Sequence, residues 1–349
     1  MYPPTILITI GDPTGSGPEL AVRTALSAEV RSRCNPVVIG SAEIIENACR
    51  RIGSSFHASI VSQDDLIAHP RSDESSVRVF ACGSLSPGEY EKGKPHASAG
   101  AHTLAVARTA IRLIQDGRAD GVCSGPASKV SLDLAGFPHK GLSHLFAEET
   151  RVHGFKSLLV MGRIRLLQAT DHVPYRRVPE LLTQDRIGDL IATLHDAMKS
   201  LFQIGRPRLA VAGLNPHAGE GGLYGNEEAD VLEPAIAKAR RNGIEVTGPL
   251  PADSLLPRIQ AGQYDAAVSM YHDQAQIAMK ALNEYAPATL LLGLPIARTS
   301  VAHGTAYGKA EAGTADPAGM IQATLLAAEV GPRLRRAKPP AENDLPRTN

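Results

Sequence analysis

The sequence predicts an α/β protein built on a largely parallel sheet, and three observations carry that expectation. Short β-branched or aliphatic runs alternate with longer amphipathic stretches, the order that produces strand–helix–strand crossovers. At 349 residues and 43% apolar content, the chain exceeds one ordinary domain and has ample material for a core. Three histidines stand just beyond apolar runs that read as buried strands: Thr170-Asp171-His172, Asn215-Pro216-His217 and Tyr271-His272-Asp273.

Thr5–Ile10 opens the chain as an unbroken apolar strand, closed by the turn-forming Gly11-Asp12-Pro13. Gly17-Pro18-Glu19 then places a proline and an acid in a first helical turn, so Pro18–Ser27 reads as a helix. Pro36–Ile39 and Val77–Phe80 read as strands, with a helix over Ser41–Arg51 and a polar surface loop at Arg71–Ser76 between them. The amphipathic run Gly100–Asp116 leads into a strand at Gly121–Ser124. Further on, Ser157–Met161, Arg165–Ala169, Leu209–Leu214, Ala266–Met270 and Thr289–Leu292 read as strands. Thr183–Phe202, Asn226–Asn242 and Pro317–Ala328 read as helices, the second stopped by Asn242-Gly243. The Pro-rich, charged tail Lys338–Asn349 is expected to fray.

Lys plus Arg equals Asp plus Glu at 36 each, and aromatic residues make up 4% of the chain with no Trp. That balance gives no strong pull toward nucleic acid and no stacking platform for bases. Cys34, Cys49, Cys82 and Cys123 are irregularly spaced without a CxxC pair, which argues against a disulfide framework or a zinc ribbon and fits reduced thiols in a cytoplasm. The N-terminus has no charged segment leading into an apolar one, and no apolar run approaches the ~20 residues of a membrane helix.

Ligands in open α/β folds bind beyond the carboxyl ends of the strands. His172, His217 and His272, delivered there together, would form a facial set of metal ligands with positions left for substrate. Imidazole suits zinc, cobalt, nickel and iron alike, and magnesium or manganese remain further divalent options. Gly11–Glu19 joins a strand to a helix N-terminus, a setting that favours an anion, although its spacing is neither that of a Rossmann nor of a Walker loop. Gly213–Gly222 sets a His and a Glu among several glycines, as expected of a loop that lets a ligand approach its backbone. Lys280, eight residues after His272, and Arg298 add cations able to clamp a carboxylate or phosphate. Asp253, in the Pro-rich turn Gly248–Asp253, is a candidate proton acceptor or base-orienting group.

Taken together, Gly11–Glu19, Asn215–Gly222, Gly248–Asp253, Met270–Gln274 and Gly293–Thr305 (GLPIARTSVAHGT) resemble the PdxA family, typified by 4-hydroxythreonine-4-phosphate dehydrogenase. The resemblance runs from about Ile6 to Ala328. It implies a fold like the isocitrate and isopropylmalate dehydrogenases, with two α/β domains flanking a cleft. The expected division is 1–130 plus 281–335 for the nucleotide side, 131–280 for a middle domain with the metal ligands and dimer interface, and a flexible 336–349 tail. It implies a homodimer acting on a small molecule, with active sites at the subunit interface. The family's three metal-binding histidines fall on His172, His217 and His272, and its substrate contacts on Lys280 and Arg298. Gly293, with the loop His303-Gly304-Thr305, resembles its nucleotide-binding segment. The implied reaction is oxidation of a secondary alcohol by NAD or NADP, followed by decarboxylation, with the metal as Lewis acid.

Two departures bear on the substrate. Where the family has a substrate-binding His-Thr pair, this chain has Leu142-Ser143, and a substrate-binding Asn is replaced by Thr289. Losing one charge-assisted hydrogen bond costs roughly 1.5–3 kcal/mol. Leu142 would present an apolar face, which points to an aromatic cis-dihydrodiol carboxylate, the substrate type of the terephthalate dihydrodiol dehydrogenase paralogue. The alternative is 4-hydroxythreonine-4-phosphate or threonate 4-phosphate. A metal-dependent hydrolase using the same histidines is the reading from another class, and a non-catalytic sensing module a third.

Overall fold

The computed structural model describes residues 3–68, 74–138, 141–282, 287–310 and 313–336. The expected frayed tail Lys338–Asn349 lies outside them, as do the first three residues of the Arg71–Ser76 loop. The strands of the first part are β1 (Thr5–Thr9), β2 (Asn35–Gly40), β3 (His57–Ile60), β4 (Ser76–Ala81) and β5 (Gly121–Ser124). The middle contributes β6 (Lys156–Met161), β7 (Ile164–Gln168), β8 (Leu209–Ala212), β9 (Val246–Leu250) and β10 (Ala266–Ser269). β11 (Ala288–Leu292) and β12 (Ala297–Val301) follow.

All join one 12-stranded sheet in the order β3-β4-β2-β1-β5-β12-β11-β6-β7-β10-β8-β9. The α/β class is therefore as expected, with a mixed rather than uniformly parallel sheet. β3 through β12 in that order run parallel to one another. β11 is antiparallel to both β12 and β6, and β6 is antiparallel to β7. β7, β10, β8 and β9 are parallel among themselves. Following the directions across the sheet, β7, β10 and β8 point opposite to β1, β5 and β12. Their carboxyl ends therefore lie on the opposite edge.

Helices cover both faces, so the central strands are continuous apolar runs: Ile6, Leu7 and Ile8 are fully buried, as are Ala266, Ala267 and Val268. Nine expected strands match to within two residues at each end. β3, β9 and β12 escaped notice for separate reasons. β3 and β9 are the two edge strands. One is polar and partly exposed, and the other carries Pro249, tolerated where a donor is not needed. β12 is central, yet its sequence ARTSV holds an arginine and two hydroxyl residues. The helices Leu142–Glu149, Ala252–Gln260 and His272–Leu282 were not anticipated either. They are short or interrupted, the second containing Pro257.

Candidate active site

The parallel neighbours β7, β10 and β8 deliver His172, His272 and His217 to one edge of the sheet. Two of the three rings meet: His172 and His272 lie 5.1 Å apart between centroids, tilted by 42°. Together with Asp171 they form a group whose potential ligand atoms all fall within 4.8 Å. The third expected ligand, His217, lies outside that group; its ring stands edge-on to Tyr224 at 6.0 Å. Among the described residues no other set of three His, Cys, Asp or Glu side chains gathers in this way.

A local feature recurs at all three histidines. Nδ1 of His172 faces Asp171 at 3.0 Å, Nδ1 of His217 faces Glu220 at 2.8 Å, and Nδ1 of His272 faces Asp273 at 2.6 Å. A carboxylate at Nδ1 favours the proton there and leaves the Nε2 lone pair for a metal. The donor set thus fits a divalent ion. The hydrogen bond to Glu220, reinforced by its charge and by the more distant Asp253, holds the His217 pKa above the ordinary imidazole range.

The His217 loop is a left-handed turn. His217, Ala218 and Glu220 have φ of 53°, 54° and 42°, interleaved with Gly219 and Gly221. Left-handed backbone costs a non-glycine residue about 1–2 kcal/mol, so neighbouring structure must hold it. Glu228 does so. It is 3% exposed; Oε1 accepts from the backbone N–H groups of Leu214 and Asn215 at 2.8 Å each, and Oε2 from the Asn215 amide at 2.9 Å. Glu228 opens a π-helical turn, Glu228–Leu232, that leads into the helix Glu233–Arg241. Gln274 links this loop to the His272 helix, accepting from Met270 N at 2.7 Å and donating to Gly213 O at 2.9 Å. Thr170 Oγ1 and Gln168 Nε2 tie the His172 segment to Met270 O and His272 O.

A second centre lies along β12. Arg298 is 5% exposed, and its Nε and NH1 donate to Ser124 Oγ at 3.2 Å and Ser143 Oγ at 3.3 Å. Its guanidinium lies 5.4 Å from the Phe146 ring centre. Among the described residues no carboxylate pairs with it, and burial pulls its pKa down to about 10. A buried cation without a counter-ion is costly unless a ligand supplies the negative charge. Ser143 sits in the first turn of the helix Leu142–Glu149, whose N-cap Gly141 offers no side chain to cap it.

The other expected residues separate into groups. Leu142 is 6% exposed within the core cluster of Leu132, Leu145 and Phe146, so its side chain does not offer an apolar wall to a ligand. Thr289, half-buried, is the second residue of β11, opposite Ser300. Lys280 is exposed on the His272 helix, and Asp253 is exposed in the first turn of Ala252–Gln260. Gly293 does not join His303, Gly304 and Thr305: it takes φ +93° in the β11–β12 turn, and they follow the far end of β12. A five-residue strand of roughly 16 Å separates them. Thr305 O accepts from Ser16 N and Ser16 Oγ, both at 3.0 Å, and His303 and Gly304 are exposed. The Gly11–Glu19 loop is a packing turn. A Cβ on Gly11, Gly15 or Gly17 would meet backbone oxygens at 2.2, 2.7 and 2.0 Å.

Sequence reading missed the roles of Glu228 and Gln274. The acids at Nδ1 stand within the motifs that singled out the histidines, one or three residues from each ring.

Fold and site define an α/β protein with a histidine cluster on one sheet edge and a buried arginine, bonded to two serines, toward the other. The family described as "Pyridoxal phosphate biosynthetic protein PdxA" matches residues 32–327, and the chain belongs to it. A 4-hydroxythreonine-4-phosphate dehydrogenase of Geobacter metallireducens is 38% identical over 327 residues, covering 94% of this chain and 95% of that protein. The crystal structure of the enzyme of that name from Klebsiella pneumoniae superposes with a TM-score of 0.85 at 32% identity, covering 94% of this chain and 98% of that one. A terephthalate 1,2-cis-dihydrodiol dehydrogenase from Burkholderia xenovorans gives a TM-score of 0.62 at 30% identity, covering 94% and 98%.

Proposed function

We propose that this chain is a metal-dependent dehydrogenase that oxidises the secondary alcohol of a 4-phosphorylated hydroxy acid, of the 4-hydroxythreonine-4-phosphate or threonate 4-phosphate type, with NAD or NADP as acceptor. The observation that carries it is Arg298, buried among hydroxyls beside an uncapped helix N-terminus, which calls for an anionic substrate group. The same observation, with Leu142 turned into the core, displaces the aromatic dihydrodiol carboxylate expected from the Leu142 departure. The relatives support this: the 0.85 superposition is with a phosphate-substrate enzyme and the 0.62 one with the dihydrodiol enzyme.

The chain's own groups divide the work. His172 and His272, gathered beside Asp171, would hold the divalent ion, with His217 as the third ligand that the family resemblance assigns; Asp171, Asp273 and Glu220 face their Nδ1 atoms. When bound, that ion supplies Lewis acidity at the substrate hydroxyl. Arg298 and Ser143 anchor an anionic end of the substrate, and Thr289 flanks the same strand pair. Lys280 and Asp253 are exposed near the histidine edge in sequence and serve as the candidates that take the alcohol proton. His303 and Gly304, exposed after β12, would meet the nucleotide, with Thr305 fixing their loop. Oxidation beside a carboxylated carbon leaves a β-keto acid, which then loses CO₂.

The histidine edge and the Arg298 pocket belong to oppositely directed halves of the sheet. Two copies of the chain complete one site in this reading. Tyr175, Leu223, Tyr224 and Ile277, all exposed apolar or aromatic residues on the histidine-bearing segments, supply the surface to be covered. The direct test is a substrate panel followed by nicotinamide reduction, with and without a chelator. Turnover of a 4-phosphorylated hydroxy acid that stops on chelation supports the proposal. Turnover confined to an aromatic cis-dihydrodiol carboxylate, or hydrolysis without nucleotide reduction, refutes it.

A further inference from the structure

We infer that Lys129 is a further cation of the anion site formed by Arg298 and Ser143, and that it adds to that site's hold on a phosphate group; this rests on the phosphorylated-substrate reading above. Lys129 follows β5 through the loop 125–128 and opens the helix Lys129–Leu134. Its stem passes over Gly141: the Cε atom stands 3.6 Å from where a Cβ would sit there. Gly141 is the bare N-cap of Leu142–Glu149. Two residues further, Ser143 Oγ accepts from Arg298 at 3.3 Å. Lys129, an open helix N-terminus, Ser143 and Arg298 therefore form one chain of contacts.

Among the described residues neither cation has an acid. Lys129 is exposed, and no described side chain pairs with its ammonium; Arg298 donates to the hydroxyls of Ser124 and Ser143. A cation beside a helix N-terminus meets the positive end of the helix dipole, and an anion bound there reverses that repulsion. A carboxylate carries one charge, which Arg298 alone matches. A phosphate monoester carries close to two at neutral pH and offers three acceptor oxygens, matching both cations and the free N–H groups. This chain also has Leu142, buried, where the resemblance expects a histidine donor. Lys129 stands on the wall that lost that donor and restores a positive contact to it.

The experiment measures binding of inorganic phosphate and of acetate to the full chain, by calorimetry and by competition against the phosphorylated substrate. It compares the parent, Lys129→Gln, Lys129→Arg and, as an exposed-lysine control, Lys199→Gln. Expected are phosphate bound more tightly than acetate, and phosphate affinity lowered about 10- to 150-fold in Lys129→Gln. Lys129→Arg should recover most of that loss, and Lys199→Gln should match the parent. KM for the phosphorylated substrate should rise in parallel, with kcat within a few-fold. Phosphate affinity unchanged in Lys129→Gln, lowered equally in Lys199→Gln, or undetectable in the parent overturns the inference, whatever the turnover. Phosphate binding that depends on Lys129, in a chain that oxidises no phosphorylated hydroxy acid, sustains the Lys129 contact and removes the phosphorylated-substrate reading instead.

Discussion

His102 is 5% exposed on the helix Ala97–Gln115, and neither ring nitrogen has a hydrogen-bond partner among the described residues. Its Nδ1 lies against Gly83, where a Cβ would approach to 2.7 Å. Burial pushes its pKa down to about 4, against the opposing pull of Asp12. The unfolded chain takes up this proton near pH 6.5, so stability from keeping His102 neutral is full above that pH and falls as pH drops toward about 4. The loss across that window is about 3 kcal/mol. His102→Leu, which removes a buried polar group, should match or exceed the parent's stability at pH 7 and flatten this dependence. Urea midpoints between pH 4 and 7 check it; identical slopes for the two proteins would contradict the assignment. At this scale the sequence was informative about residue type and poor about surroundings. The histidines announced a site through their acidic neighbours. Leu142 looked like a pocket wall because nothing in its immediate sequence says which side of a helix faces the core.

The π-turn Glu228–Leu232 and the left-handed turn at His217 act as one element. Glu228→Ala removes an acceptor from the N–H groups of Leu214 and Asn215 and from the Asn215 amide. Two backbone donors left without a partner, while the Asn215 amide keeps Glu227, predict a loss of about 2–4 kcal/mol in stability. Because the loop carries His217, metal affinity should drop about 10- to 100-fold even where the fold survives. Thermal unfolding and metal titration of Glu228→Ala and Glu228→Gln separate the effects; normal metal affinity in both variants would detach Glu228 from the site. The long periodic helices and the apolar strands were readable because burial on one or both faces imposes a period on the residues. The π-turn was folded into one expected helix, Asn226–Asn242, since one widened turn barely disturbs apolar spacing. β12 was unreadable because the chain places Arg298 and Thr299, both buried, inside a central strand. The rule that strand interiors are apolar fails there because both side chains find partners inside: Arg298 the hydroxyls of Ser124 and Ser143, Thr299 the carbonyl of Ala323.

Across the whole molecule, strand direction decides how the site is assembled. β7, β10 and β8 aim their histidines at the edge opposite the one that β5 and β12 aim toward. The alternation of elements showed the α/β class, but no local pattern could show that the sheet reverses at β11 and β6. The domain division at 130 and 281 follows the resemblance, and in the structure β11 and β6 bond across that division within one sheet. If a second copy completes the site, Ile277→Glu or Leu223→Glu, both at exposed apolar positions, should yield monomers with kcat/KM reduced at least tenfold. Light scattering with parallel assays decides this, and full activity in a monomer would refute the shared site. The central claim is that this is a dehydrogenase whose anion site recognises a phosphate. The measurement that tests it most directly is the ratio of kcat/KM for 4-hydroxythreonine-4-phosphate to that for unphosphorylated 4-hydroxythreonine, followed by reduced nicotinamide. A phosphate held by charge-assisted hydrogen bonds at Arg298 and Ser143 predicts a ratio of about 100 or more. Equal values, or faster oxidation of the unphosphorylated compound, would contradict it.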